Sequence, residues 1–140
     1  MILPLRVIFG DTDQMGVVYY ANYLRYFEAA RAEYWRQMGR SYRELEAVGV
    51  GLPVVEAHCN YKKPALYEDL LQIECIIDEL RSVQMRFAYR IWRNQTLLAD
   101  GFTRHAVVRA RDGRPVPLPA EFRDMMKVEA FADGAPTNGM

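Results

Sequence analysis

Two carboxylates, Asp11 and Asp13, stand in the run Gly10-Asp11-Thr12-Asp13-Gln14-Met15-Gly16, directly ahead of an apolar-periodic segment. A helix start offers unpaired N–H groups and the positive end of a dipole, and both favour negative charge developing nearby. A carboxylate placed there can attack a carbonyl carbon, or deprotonate a water that does so. The oxyanion then formed requires a donor, and one well-placed N–H is worth about 10²–10³ in rate. The main chain at Tyr20 is the candidate donor. A leaving thiolate, with a pKa near ~8.5, would depart without a dedicated acid. Composition alone reads an Asp in such a loop as a turn or cap residue, and Asp11 is assigned that structural role. The pair could also hold a metal weakly, but no His stands nearby and no metal is expected. No GxSxG is present, which argues against a serine-hydrolase route.

The elements that must position this loop are legible in outline. Leu5 to Phe9 reads as a short first strand, which the Gly-Asp run breaks. From about Ala21 to Met38, Tyr20, Leu24, Phe27, Ala30, Tyr34 and Met38 recur at steps of three and four, the mark of one buried helix face. Eighteen residues give about 27 Å, enough to cross a sheet. Gly39 ends this helix. Ser41 with Glu44 forms a capping box for a short second helix, to about Val48. Beyond Gly51 the texture becomes β-branched, aromatic and partly alternating: Leu52 to Tyr61, Leu70 to Leu80, Val83 to Trp92 and Leu97 to Arg109. Lys63-Pro64, Asn94-Gln95 and Asp112-Gly113-Arg114-Pro115 are the turns between or after them. One strand, a long helix, a short helix and four long antiparallel strands predict an α+β domain. Its long central helix is wrapped by a curved antiparallel sheet of about five strands, the arrangement called the hotdog fold. An open sheet leaves edges to protect, and pairing two of them across a two-fold axis predicts a homodimer.

The 140 residues suit one domain, placed at 1–130, with a flexible Gly/Pro/Asn/Asp-rich tail at 131–140. Eighteen basic residues balance eighteen acidic ones, so no net field recruits nucleic acid or an anionic membrane. Cys59 and Cys75 lack ligand spacing and are read as reduced, half-buried thiols. The first residues do not resemble a secretory signal, and no stretch approaches the ~20 apolar residues of a membrane helix. A cytoplasmic protein is expected.

The string from Asp11 to Arg31, DTDQMGVVYYANYLRYFEAAR, resembles the signature of the YbgC/4-hydroxybenzoyl-CoA thioesterase family. Further matches lie at Tyr61-Lys62-Lys63-Pro64-Ala65, Tyr67-Glu68-Asp69-Leu70, Gly101 to Ala106, Gly113-Arg114-Pro115 and Leu118-Pro119, so the likeness spans roughly residues 5 to 125. It implies a hotdog acyl-CoA thioesterase with Asp13 as catalytic carboxylate and the Tyr20 N–H as the contact that polarises the thioester carbonyl. Gly16, Val17, Val18 and Tyr19 are the implied substrate contacts. Many YbgC-type members carry His where this chain has Tyr20, and the 4-hydroxybenzoyl-CoA enzyme carries Tyr. The resemblance further implies a homodimer, with a dimer of dimers as the full assembly. No cofactor is expected, coenzyme A being part of the substrate.

Phosphates of CoA call for cations. The family's basic cluster maps to Glu79-Leu80-Arg81-Ser82, of which Arg81 is the one base; Lys62 and Lys63 are the alternatives. His58 and His105 are read as structural. Glu28 and Arg31 can pair at i and i+3, or Glu28 can reach a site across a dimer. Tyr19, Tyr20, Tyr23, Tyr26 and Tyr34 are read mainly as packing. The acyl group is short-chain or aromatic. The alternative function is a noncatalytic hotdog module that binds acyl-CoA or an acyl-carrier protein. A hydratase is disfavoured, because no His lies between Gly10 and Met38.

Overall fold

The computed structural model describes residues 1–137. In chain order it contains β1 (Ile2–Arg6), α1 (Asn22–Gln37), α2 (Tyr42–Ala47), β2 (Val50–Gly51) and β3 (Val54–Tyr61). β4 (Leu70–Leu80), β5 (Gln84–Arg93), β6 (Thr96–Ala106), β7 (Val108–Arg109) and α3 (Ala120–Arg123) follow. Five strands make one antiparallel sheet in the order β1-β4-β5-β6-β3, and β2 pairs separately with β7. Bulges at Ile77/Glu79 and Ile91/Trp92 add local twist and bend the long strands, as expected for a sheet that curves around a helix.

Alternation along the central strands builds the two faces. Leu71, Ile73, Cys75 and Ile77 of β4, with Met85, Phe87, Tyr89 and Ile91 of β5, are fully buried against α1. Phe27 stacks on Tyr89 with ring centroids 4.3 Å apart, and Tyr34 meets Phe87 edge-on at 5.6 Å. The opposite face carries paired charges: Arg86 with Asp78, Arg90 with Glu74, and Arg104 with both Glu56 and Glu79. Phe131 lies against the Arg90 guanidinium, whose Nη2 also donates to the Ala132 carbonyl at 2.9 Å. The end of the expected tail, 138–140, lies outside the described residues.

Several expectations shift in detail. The first strand lies at Ile2–Arg6 rather than Leu5–Phe9, because Phe9–Asp11 closes a 3-10 turn instead of extending. Pro4 is accommodated there because β1 is an edge strand that pairs with β4 alone. The helical stripe is also rotated. Phe27, Ala30 and Tyr34 are buried as expected, but Tyr23, Tyr26 and Trp35 complete the face, while Tyr20 is 61% and Leu24 40% exposed. The aromatic residues of this helix, Tyr23, Tyr26, Phe27, Tyr34 and Trp35, are all buried, so the covered face is wider than the single three-and-four stripe. The last long strand breaks at Val107, and its end, β7, leaves the main sheet to pair with β2. Cys75 is fully buried rather than half-buried. No helix among the described residues is long and apolar enough to cross a membrane.

Phe27 of the helix packs directly over Gly101 of β6. A Cβ there would meet the His58 carbonyl oxygen and lie 2.9 Å from Phe27 Cε2. Gly101→Ala is therefore expected to lower the unfolding free energy by about 1–3 kcal/mol in urea titrations, through overpacking.

Candidate active site

The site is assembled on the turn between the 3-10 segment and α1. Thr12 bridges Val18 in antiparallel fashion, the Asp13 amide donates to the Val17 carbonyl at 2.9 Å, and the Gly16 amide returns to the Asp13 carbonyl at 3.0 Å. Gly16 takes φ +82°, a left-handed conformation that favours glycine and lets the chain reverse. Val18 is buried and its amide donates to the Ala65 carbonyl, while Val17 bridges Leu66. The turn is thus pinned to the 61–69 loop on one side and to α1 on the other.

Asp11 supplies the tie to α1. Its carboxylate is 4% exposed, accepts from Arg25 Nη2 at 2.7 Å and accepts from the Tyr26 hydroxyl at 2.8 Å. Its carbonyl accepts from the Tyr19 amide and from Asn22 Nδ2, both at 2.9 Å. Burial and this carboxylate together push the Tyr26 phenol well above its usual range. Asp11 is therefore a structural carboxylate, and it fixes the path of the chain from residue 11 to residue 22.

Asp13 is placed differently. It is half-exposed, and its Oδ1 accepts from the Met15 amide at 2.9 Å, the Asx-turn geometry that composition suggests. Among the described residues its second oxygen has no hydrogen-bond partner. One oxygen holds the side chain in place and the other is left available. Tyr19 lies close enough that the Asp13 charge helps raise its phenol pKa, after the larger effect of the neighbouring Tyr20 phenol. The Tyr19 carbonyl accepts from the Asn22 amide at 2.9 Å and the Tyr20 carbonyl from Tyr23 at 3.3 Å. Among the described residues the Tyr20 and Ala21 amides donate to nothing. They are open donors at the entry to the helix, whose N-cap residue is Ala21.

Gly16 and Val17 are thus bonded to the Asp13 main chain and Tyr19 lies near its charge, with Val18 and Tyr20 in the same turn. Lys62 and Lys63 follow Tyr61, whose hydroxyl donates to the Tyr20 carbonyl at 2.9 Å, so they flank the same turn. Lys62 Nζ lies 4.0 Å from Asp100, and Lys63 has no ion pair among the described residues. Arg81 is not brought there. Asp69, at the foot of β4, accepts from the Val7 amide beside the turn, whereas Arg81 follows the other end of that strand. Eleven strand residues span roughly 35 Å. Arg81 pairs instead with Glu79 at 2.5 Å. Asn22, Arg25, Tyr26 and Tyr61 were missed as parts of the site. Tyr61 is separated from Tyr20 by 41 positions, and no local spacing signals that contact.

A cavity of about 270 Å³ opens beside α1, lined by Glu28, Arg31, Trp35, Tyr42, Leu52 and His105. The expected Glu28–Arg31 pair does not form; Arg31 donates to the Tyr89 hydroxyl at 3.0 Å. Tyr89 bonds the Thr103 hydroxyl at 2.6 Å, Thr103 bonds His105 Nε2 at 2.9 Å, and His105 Nδ1 bonds the Leu52 carbonyl at 2.8 Å. His105 is 1% exposed and structural, as expected. Among the described residues no group of three or more His, Cys, Asp or Glu side chains could hold a metal ion.

One long helix wrapped by a five-stranded antiparallel sheet, with a carboxylate turn at the helix start, defines a hotdog-fold protein. The chain belongs to the thioesterase-like superfamily, whose family model matches residues 7–126. It is 34% identical over 121 residues to the acyl-CoA thioesterase YbgC of Haemophilus influenzae, covering 86% of this chain and 89% of that protein. It is 32% identical over 128 residues to a 1,4-dihydroxy-2-naphthoyl-CoA hydrolase of Synechococcus elongatus, covering 89% and 94%. A crystal structure of a hypothetical protein from Aquifex aeolicus superposes with a TM-score of 0.86 at 33% identity, covering 91% of this chain and 99% of that one.

Removing the buried Asp11 carboxylate takes away the tie itself, whereas removing Arg25 leaves that carboxylate with the Tyr26 hydroxyl as its side-chain donor. Asp11→Ala is expected to cost about 2–4 kcal/mol and Arg25→Ala, whose side chain is 57% exposed so that water replaces it in part, about 1–3 kcal/mol in urea unfolding. Burial lowers the His105 pKa from 6.5 to about 4, so the folded state holds this ring neutral. The unfolded chain binds the proton first as pH falls, and the stability contribution, complete above about pH 6.5, is lost toward pH 4. Unfolding free energy should fall by about 2 kcal/mol between pH 7 and pH 5 from this group, and His105→Gln should flatten that part of the profile.

Proposed function

We propose that this chain is an acyl-CoA thioester hydrolase in which Asp13 supplies the attack. The observation that carries this reading is the state of Asp13: one oxygen fixed by the Met15 amide, the other free, beside two open amides at the start of α1. The free oxygen attacks the thioester carbonyl carbon, or takes the proton of a water that attacks it. In either route the carbonyl π electrons move to oxygen, and the Tyr20 N–H donates to the oxyanion. Collapse breaks the carbon–sulfur bond and releases CoA thiolate. Direct attack leaves an acyl-Asp13 anhydride that water hydrolyses to the free acid; the general-base route gives the acid at once. The family and the thioesterases named among its relatives support this class of reaction, with a short-chain or aromatic acyl group.

The working unit is a homodimer joined along β3. This edge strand is exposed along nearly its whole length, with Val54 48%, Val55 56% and Tyr61 49% exposed. An antiparallel joint between two copies of β3 would bury those residues and pair the open main chain. The Tyr61 end of β3 lies at the Asp13 turn, and its Val54 end follows Leu52, which lines the α1 cavity. Across a two-fold axis each cavity would therefore face the Asp13 turn of the other copy. Lys62 and Lys63 complete a cationic rim for the CoA phosphates.

Asp13→Asn keeps the Asx-turn acceptor and removes the attacking group. In a thiol-release assay over acetyl-, butyryl-, hexanoyl- and benzoyl-CoA it should lose at least about 100-fold in kcat, with the melting temperature nearly unchanged. Equal turnover by this variant would refute the assignment. No turnover by the wild type on any thioester would favour a noncatalytic binder.

A further inference from the structure

We infer that Tyr61 is a positioning residue for the oxyanion contact, holding the peptide between Tyr20 and Ala21 through its hydroxyl. This rests on the proposed thioesterase reading and adds to it a residue that never meets the reacting atoms. The Tyr61 hydroxyl donates to the Tyr20 carbonyl at 2.9 Å. The same carbonyl's bond from the Tyr23 amide is long, at 3.3 Å, and the next bond of the turn, Leu24 to Ala21, is 3.2 Å. Two of the backbone bonds that open α1 are thus long, and the shorter bond to the Tyr20 carbonyl comes from β3.

Two consequences follow for the open amides. Tyr20 carries its own N–H on one side of its Cα and the Tyr61-bound carbonyl on the other. Fixing that carbonyl fixes ψ at Tyr20, and with it the relative aim of the Tyr20 and Ala21 amides. The peptide whose carbonyl accepts from Tyr61 is also the one that carries the Ala21 N–H. A hydrogen bond to the oxygen of a peptide strengthens the donor at its nitrogen, so the contact makes the Ala21 amide a better partner for negative charge.

The Tyr61 ring is held for this task. It meets Tyr23 edge-on at 5.0 Å and Tyr20 edge-on at 6.3 Å, while the Tyr23 hydroxyl accepts from the Ala65 amide at 3.1 Å. Partial burial is the first of the effects that push its phenol pKa up to about 12. Tyr61 also ends β3, so the donor geometry at Tyr20 is linked to the order of the edge strand.

Tyr61→Phe removes the hydroxyl and keeps the ring. The test compares wild type, Tyr61→Phe and Asp13→Asn on whichever of acetyl-, butyryl-, hexanoyl- or benzoyl-CoA the wild type hydrolyses fastest. Melting temperature and size-exclusion volume are recorded alongside. Tyr61→Phe is expected to lower kcat about ten- to a hundredfold, with KM within about twofold and the fold and assembly unchanged. Wild-type kcat in Tyr61→Phe, with Asp13→Asn inactive, would overturn the positioning role and leave the thioesterase reading standing. A fall in kcat accompanied by a lower melting temperature or altered assembly would also overturn it, by making Tyr61 a structural residue. Full activity in Asp13→Asn, or none in the wild type, would overturn the underlying reading itself.

Discussion

The Asp11 carboxylate, buried and bonded to Arg25 and Tyr26 on the helix, is the tie on which the geometry of the candidate site rests. A carboxylate removed from water is tolerated where its lone pairs are met by donors, and here a guanidinium and a phenol meet them. Its main chain extends the same function, since the Asp11 carbonyl receives both the Tyr19 amide and the Asn22 side chain. With residue 11 fixed to α1 at both its backbone and its side chain, the ten residues between have few conformations left. Asp13 is carried to its position by that restriction together with its own bonds to Met15, Gly16 and Val17.

The helix that receives this tie is itself located by the sheet. Phe27 lies between Tyr89, on which it stacks, and Gly101, where a side chain would force it away. Arg31, one turn further along, ends on Tyr89 and so on the Thr103–His105 network. Apolar packing sets the distance between helix and sheet, and these directional bonds set the position along the helix axis. The outer face of the sheet satisfies its own charges in cross-strand pairs, whereas β3 leaves both main chain and apolar side chains uncovered. The two edges are therefore unequal: β1 is short and carries Pro4, and β3 is long and open.

Much of this was legible beforehand, because it depends on short-range pattern. Strand alternation in β5, the helix from Ala21 to Met38 and the Ser41–Glu44 capping box follow from periods of two, three and four, and the structure contains each. The stripe of α1 was less legible: all five of its aromatic residues are buried, and their partners are distant in sequence, Tyr89 and Phe87 in the sheet and Phe122 beyond it. The pairing of Glu28 with Arg31 was plausible from spacing and failed for the same reason, since Tyr89 offers Arg31 a buried acceptor.

By itself the sequence determined that two aspartates precede a long helix within a Gly-bracketed turn, and that the rest of the chain is antiparallel sheet. It also carried the family likeness that singles out Asp13. Only the tertiary structure decided how the two carboxylates differ, because the role of Asp11 depends on partners 14 and 15 positions away around a helix: Arg25 and Tyr26 reach Asp11, while among the described residues Asp13 keeps one oxygen without a partner. The same holds at longer range for Tyr61 and Tyr20, and for the separation of Arg81 from the turn. Contacts between distant segments arise from strand order and register, and no local pattern of residue types encodes those.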